Sequence, residues 1–477
     1  MVFASMLFVF FFLTANLISQ LVLKTAKAKN IAMLVFSLIF YSWSGPRYLF
    51  LLLAMVAICW AGARRIQAGE EQKERKVTLI ITVALCLAIL GVFKYTGFFL
   101  LNLQLLFGVP EVIPNIVLPI GISFYTFQLI SYVVDVYRGE VAAQEKYWVL
   151  LLYASLFHQC IAGPIVRYQD INDDIIRRRV TPAEISRGIS RFTVGLAKKA
   201  ILANGCAVIA DRFFEVGPQE LTAVPALGIL LAAFAFTLQI YLDFSAYSDM
   251  AIGMGLMCGI HYKENFSYPY VSRSISEFWR RWHISLGSFF RDYVYIPLGG
   301  NRCPVKRQLL NLFVVWFLTG LWHGASWNFV LWGLFFGLLI GIERFLLGSK
   351  LERVPAPLRV LVVFILVLFS WILFKFTDFA MLKIALKGLF GLNGNGFTGV
   401  DVALTFKNNI FFLIFTTIAV TPLGRNLRNI LGNLSKKNTA CFWVNTVWEA
   451  AHPAILLLLS AMALAGDSYN PFLYFRF

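Results

Sequence analysis

Charge is scarce in this chain. Only 14% of its 477 residues are Asp, Glu, Lys or Arg, against about 25% in soluble globular proteins. Hydrophobic residues make up 59%, and the mean hydropathy is +0.72. These values exclude a water-soluble globule and leave an all-α polytopic membrane protein, with length for roughly ten spans. Acid is scarcer than base, 25 residues against 42, so the net charge is +17. The excess does not point to nucleic acid. Lys and Arg cluster between apolar runs, at Lys24 to Lys29, Arg64 to Lys76, Arg167 to Lys199, Arg273 to Arg307 and Arg425 to Lys437. That is the pattern of basic cytoplasmic loops, and the expected surrounding is lipid.

Other absences narrow the chemistry. The seven cysteines include no C-x-x-C pair, and five of them (Cys59, Cys86, Cys160, Cys206 and Cys258) lie in apolar segments. That pattern builds neither a disulfide framework nor a zinc site. No Walker A loop and no G-x-S-x-G elbow occurs, which removes P-loop and α/β-hydrolase chemistry. No metal and no resident cofactor is expected. Internal repeats and low-complexity tracts are missing too, so residues 1–477 read as a single integral membrane domain.

Against this background two pairs stand out, Trp282-His283 and Trp322-His323. His323 lies in the longest uncharged run, Gln308 to Ile342. An ionisable side chain at membrane depth marks function by default, and imidazole is suited to proton transfer near neutral pH. As one helix those 35 residues would reach ~52 Å, against a ~30 Å hydrocarbon core. The run is therefore predicted to break, and Gly320 and Gly324 bracket His323. A broken helix at depth survives only where protein or a wet cavity covers it, which predicts a cavity at His323. A neutral imidazole there can act as a general base, worth ~10²–10⁴ in rate.

Candidate spans are Val2–Leu23, Ile31–Trp43, Tyr48–Gly62, Val77–Phe93, Leu118–Tyr137, Tyr147–Ala162, Ile185–Val208, Leu221–Tyr241, Leu309–Gly320 with Ala325–Ile342, Leu358–Phe374, Asn409–Thr421 and Pro453–Gly466. The first reads as uncleaved, with its N-terminus outside. On that count the basic Arg167–Lys199 loop falls on the wrong side unless Phe98–Phe107 or Tyr147–Ala162 is re-entrant. Residues 467–477 are expected to emerge as an extracytoplasmic tail. Residues 263–345 form the predicted catalytic region of re-entrant and broken helices. Lys263–Arg307 is too charged to span, yet apolar residues at 278, 282, 286, 289, 290 and 293 follow helical spacing. That reads as amphipathic helices at the cytoplasmic boundary.

Two readings stay open for several residues. His283, beside Arg280, Arg281 and Ser285, is either a solvated interfacial histidine or a second wall of the His323 cavity. In the segment Gln239 to Asp249, Tyr241, Ser245, Ser248 and Asp249 share one helix face, and Asp243 with Tyr247 forms a second polar stripe. These either hydrogen-bond between helices or line a polar tunnel.

The strings LPIGISFYTFQLISYVVDVYRGE, YLDFSAYSDMAIGMG, ENFSYPYVSRSISEFWRRWHISLGSFFRDYVYIPLGGNR and GLWHGASWNFVLWG resemble the membrane-bound O-acyltransferase family. The likeness runs nearly end to end and is greatest to the bacterial alginate O-acetylation branch. It implies tilted and broken helices around a transmembrane tunnel, with an acyl donor entering from the cytoplasm. It implies that His323 is the essential catalytic residue and His283 a second, more variable position. Trp282, Trp322, Asn328, Asp243, Ser245 and Asp249 are then candidates to line the tunnel or bind the donor. Arg280, Arg281 and Arg302 are candidates for the phosphates of acetyl-CoA, because Arg makes bidentate bonds to phosphate; the other reading is that they face lipid phosphates.

The function implied is an O-acetyltransferase component of the bacterial cytoplasmic (inner) membrane. It would pass acetyl to a separate extracytoplasmic transferase for a polysaccharide acceptor. The alternatives are D-alanyl transfer from a carrier protein, and a proton-coupled transporter or flippase with His283 and His323 as a relay. Phe472-Leu473-Tyr474-Phe475 resembles a C-terminal motif of small partner proteins of the related D-alanyl transferases. On that likeness Tyr474 is a candidate acyl relay; the other reading is an aromatic anchor at the interface.

Overall fold

The computed structural model describes residues 2–43, 45–108, 116–160, 163–466 and 472–473. Among them the regular structure is helical, and eight helices are long and apolar enough to cross a membrane. The chain divides into two compact units. The first comprises Met1–Phe192, Ser248–Glu264 and Ser288–Pro297; the second comprises Thr193–Tyr247, Asn265–Gly287 and Leu298–Phe477.

In the first unit the buried Phe8, Phe12, Phe40 and Phe157 rings pack together, edge to face between Phe8 and Phe40, Phe8 and Phe157, and Phe12 and Phe157. Buried polar groups are tied together, as burial demands. Arg178 donates to Asn30 Oδ1 at 2.8 Å and to Gln20 Oε1 at 3.2 Å. Tyr293 donates to Asp135 at 2.7 Å, Arg167 pairs with Asp292, and Arg191 bridges Asp249 and Glu264 at 2.6 Å each.

Several expected boundaries move. Gln72–Phe107 is one helix of 36 residues, ~54 Å long at 1.5 Å per residue. Phe98–Phe107 is therefore its last turns and not a re-entrant segment. Tyr147–Ser155 has nine residues, ~14 Å, about half the hydrocarbon core. The Thr439–Gly466 helix begins fourteen residues earlier than expected and carries Pro453 in its interior.

In the second unit, the run 308–342 breaks where its length required. One helix covers Val305–His323, Gly324 is extended, and the next helix covers Trp327–Ile342. Glycine lets this pair pack at backbone distance. A Cβ on Gly320 would collide with the Phe329 carbonyl, and one on Gly333 with the Trp316 carbonyl. The long helix Ala226–Met257 continues past Tyr241 through the polar segment. Residues 394–399 spell G-x-G-x-x-G, yet they form a loop whose Gly396 and Phe397 carbonyls accept from Ala226 and Leu227. No strand precedes them among the described residues, so they do not make a dinucleotide site.

Two predictions follow from these contacts. Gly333→Ala is expected to destabilise the protein by about 1–3 kcal/mol through overpacking. Gly341→Ala, whose new Cβ would lie 3.9 Å from Leu309, should be close to neutral. Melting of both variants in detergent checks this. The second concerns His261, half-exposed in the first unit between Asp174 at 3.1 Å and Glu184 at 3.0 Å. Burial pulls its pKa down, but the two carboxylates outweigh that and raise it above the usual 6.5. A raised histidine pKa stabilises the fold below about pH 6.5 and loses that effect as pH climbs through the folded value. Wild type should therefore lose more melting temperature than His261→Gln between pH 6 and pH 8.

Candidate active site

The site is built in the second unit from helix ends. His323 is the last residue of its helix and is buried. Its ring meets Trp332 at 4.8 Å and Phe374 at 5.5 Å, both edge on, and Trp322 at 5.1 Å. Trp371 extends this wall, 5.8 Å from Trp332 and 4.9 Å from Trp282. His323 opens on a cavity of about 20 Å³, room for roughly one water. Asp243, Trp282, Trp371 and Phe374 line it together with Phe472 and Leu473.

His283 sits at the junction between helices Ile275–Arg281 and Ile284–Phe290. Its φ of 44° is left-handed, an uncommon state for a residue with a Cβ. Asn265 stabilises it. The Asn265 carbonyl accepts from Ile284 N at 3.0 Å, and its Oδ1 accepts from Ser285 N at 3.0 Å and Ser285 Oγ at 2.9 Å. His283 Nδ1 lies 3.3 Å from that same Oδ1. A backbone N–H can only donate, so this atom is the amide oxygen and Nδ1 carries the proton. Nε2 is left as the acceptor nitrogen, buried and without a hydrogen-bond partner. Burial pushes the His283 pKa down to about 3, so the ring is neutral at pH 7. Trp322 stands by both histidines, 5.9 Å from the His283 ring.

The structure brings some of the predicted residues together and separates others. Trp282 and Asp243 are in the cavity wall, and Trp322 packs behind it. Buried Ser245 turns its hydroxyl to the Leu242 carbonyl of its own helix, at 3.4 Å. Asp249 is committed to Arg191 in the first unit. Asn328 is a tie: its amide donates to the Leu373 and Phe374 carbonyls, both at 3.3 Å, and so holds the helix that presents Phe374. Arg281 is held by Glu277 at 2.8 Å and by the Ser267 carbonyl, while Arg280 and Arg302 are exposed. Tyr474 lies outside the described residues. The remaining histidines have structural partners: Tyr262 for His158, Asp174 and Glu184 for His261, and the Trp448 carbonyl for His452.

Sequence reasoning missed Asn265, Lys199, Trp332, Trp371 and Phe374. Asn265 was visible only as a letter in ENFSYPY. Lys199 had a signal, since it ends a basic cluster just where the chain turns apolar. It is buried against Asp243, Nζ to Oδ1 2.7 Å.

Comparison with known proteins identifies the family of the chain. The membrane-bound O-acyltransferase family profile matches residues 146–383, which include both histidines. A probable alginate O-acetylase of Pseudomonas putida is 38% identical, with all of both chains covered. A peptidoglycan O-acetyltransferase of Helicobacter pylori is 31% identical over all of this chain and 98% of its own. A teichoic acid D-alanyltransferase of Bacillus subtilis is 27% identical over 56% of this chain and 69% of its own. The chain belongs to the membrane-bound O-acyltransferase family and is a multi-pass membrane O-acyltransferase.

Proposed function

We propose that the chain takes acetyl from cytoplasmic acetyl-CoA and passes it across the bacterial cytoplasmic membrane for O-acetylation of an exopolysaccharide or cell-wall glycan, alginate-like. The observation that carries this reading is the His323 imidazole in the wall of an aromatic cavity, in a chain that aligns end to end with O-acetylating enzymes.

In this reading His323 accepts the proton of an attacking hydroxyl as its oxygen bonds to the thioester carbonyl carbon. The C–S bond breaks, and the departing thiolate takes that proton to leave as coenzyme A thiol. Tyr474 supplies the hydroxyl. Support comes from the two preceding residues, Phe472 and Leu473, which line the His323 cavity. The resulting aryl acetate then passes its acyl group, through a separate extracytoplasmic partner, to the glycan. Exposed Arg280 and Arg302 are the candidates for donor phosphates; Arg281 is occupied by Glu277.

Family membership sets the transporter reading aside. D-alanyl transfer is the weaker alternative, because the teichoic acid relative shares less identity over about half of the chain.

His323→Ala should lower acetylation of cellular polymer by about 10²- to 10⁴-fold, the worth of a general base, with folded protein retained on size exclusion. His283→Ala should lower it less, and Asn265→Ala should follow His283→Ala because it frees the same ring. Wild-type acetylation in the His323 variant ends this mechanism. Tyr474→Phe keeps ring and bulk and removes only the hydroxyl. It should abolish acetylation, and normal polymer acetyl content would make the segment an anchor instead.

A further inference from the structure

Two charges of the second unit are buried in candidate membrane spans. Lys199 lies in Pro182–Phe214 and Asp243 in Ala226–Met257, with side chains 8% and 2% exposed and 2.7 Å between Nζ and Oδ1. Mutual neutralisation accounts for burying such a pair. It does not account for the third partner. The second carboxylate oxygen, Asp243 Oδ2, accepts the backbone N–H of Leu473 at 2.7 Å, from a residue 230 positions along the chain. Leu473 and Phe472 are both buried, and the Phe472 ring packs 5.1 Å from Tyr247 and 5.9 Å from Phe244. Asp243, Phe472, Leu473 and His323 line one cavity. Lys199 itself stands in a π-helical turn, Lys198–Ala203, a distortion frequent at functional sites.

We propose that the Lys199–Asp243 pair is a docking clamp. It seats the Phe472–Leu473 segment in the wall of the His323 cavity and so positions the residue that follows. The carboxylate has oxygens to spare after meeting one ammonium, and it reads the segment by its main chain while the Phe244 and Tyr247 rings read Phe472. Asp243 is thus a positioning residue. Its catalytic consequence rests on Tyr474 being the relay, whereas the seating does not.

The test separates seating from fold stability. Leu473→Cys keeps the backbone N–H, and its maleimide labelling in native membranes is read by mass spectrometry at that position, because Cys303 and Cys441 are partly exposed. Labelling should be slow in the otherwise unchanged protein. In Asp243→Ala it should be about tenfold faster or more, the effect of losing one hydrogen bond to a charged group on a closed–open equilibrium. The exchange Lys199→Asp with Asp243→Lys restores the ion pair but sets an ammonium against the Leu473 N–H, donor against donor. A merely structural pair predicts that the exchange restores protection; the clamp predicts that Leu473→Cys stays fast while the protein elutes folded. Equal labelling rates across all three backgrounds overturn the clamp, as does protection restored by the exchange. If labelling depends on Asp243 but Tyr474→Phe acetylates normally, the clamp stands and the relay falls. If labelling is indifferent and Tyr474→Phe is inactive, the relay stands and the clamp falls.

Discussion

The site depends on backbone contact between two helices. Gly320 meets the Phe329 carbonyl and Gly333 the Trp316 carbonyl so closely that neither has room for a Cβ. That closeness lets the chain interrupt a helix at 324–326 and still keep the break inside protein, the condition for irregular backbone at membrane depth. It also sets Trp332 across from His323, 4.8 Å between rings. The catalytic candidate is thus held by main-chain proximity, and the indoles only finish the wall.

A second constraint is that polar groups in an apolar medium must find partners, since an unmatched buried group costs about 1–3 kcal/mol. The second unit meets it in part, with compact clusters. Asn265 alone takes Ser285 N–H, Ser285 O–H and His283 Nδ1–H on one oxygen. Asp243 takes an ammonium on one oxygen and an amide on the other. The Asn265 cluster leaves one buried ring nitrogen without a hydrogen-bond partner, and Asn265 Nδ2 is likewise unmatched. That ring nitrogen is His283 Nε2, fixed as the acceptor by what Asn265 does to Nδ1. The positive φ at His283 fits this picture, because strained backbone persists only where its surroundings over-determine it.

Much of this was legible in the sequence, for reasons that differ by element. Length against bilayer thickness, with Gly320 and Gly324 beside His323, predicted the break, although length alone was not decisive, since Gln72–Phe107 stays whole over 36 residues. Composition gave the class. The Asp243 and Tyr247 stripe was visible as helical spacing, and both residues meet Phe472 or Leu473. The spacing could not tell Asp243 from Asp249 six residues on. Only packing shows that Arg191 takes the second and Lys199 the first. Trp332, Trp371 and Phe374 were illegible because an aromatic residue in an apolar run looks alike whether it faces lipid or a histidine. Helix ends misled where a rule was read too strictly: charge at Lys73–Lys76 did not delay the start of Gln72–Phe107, and Pro453 did not begin its helix.

The geometry also bears on why acyl transfer would outrun hydrolysis here. Water is the competing nucleophile for any activated acyl group, and excluding it is a general need of such sites. The His323 cavity has room for roughly one water, and its walls are mostly aromatic. With Phe472 and Leu473 seated, part of that wall belongs to the segment that carries the proposed acceptor. Delivery and exclusion then become one event. In the proposed relay, seating Phe472 and Leu473 would bring the acceptor hydroxyl to the base and shrink the space for water together. On that proposal the acceptor's own segment would serve as the wall that excludes water, in place of a separate lid.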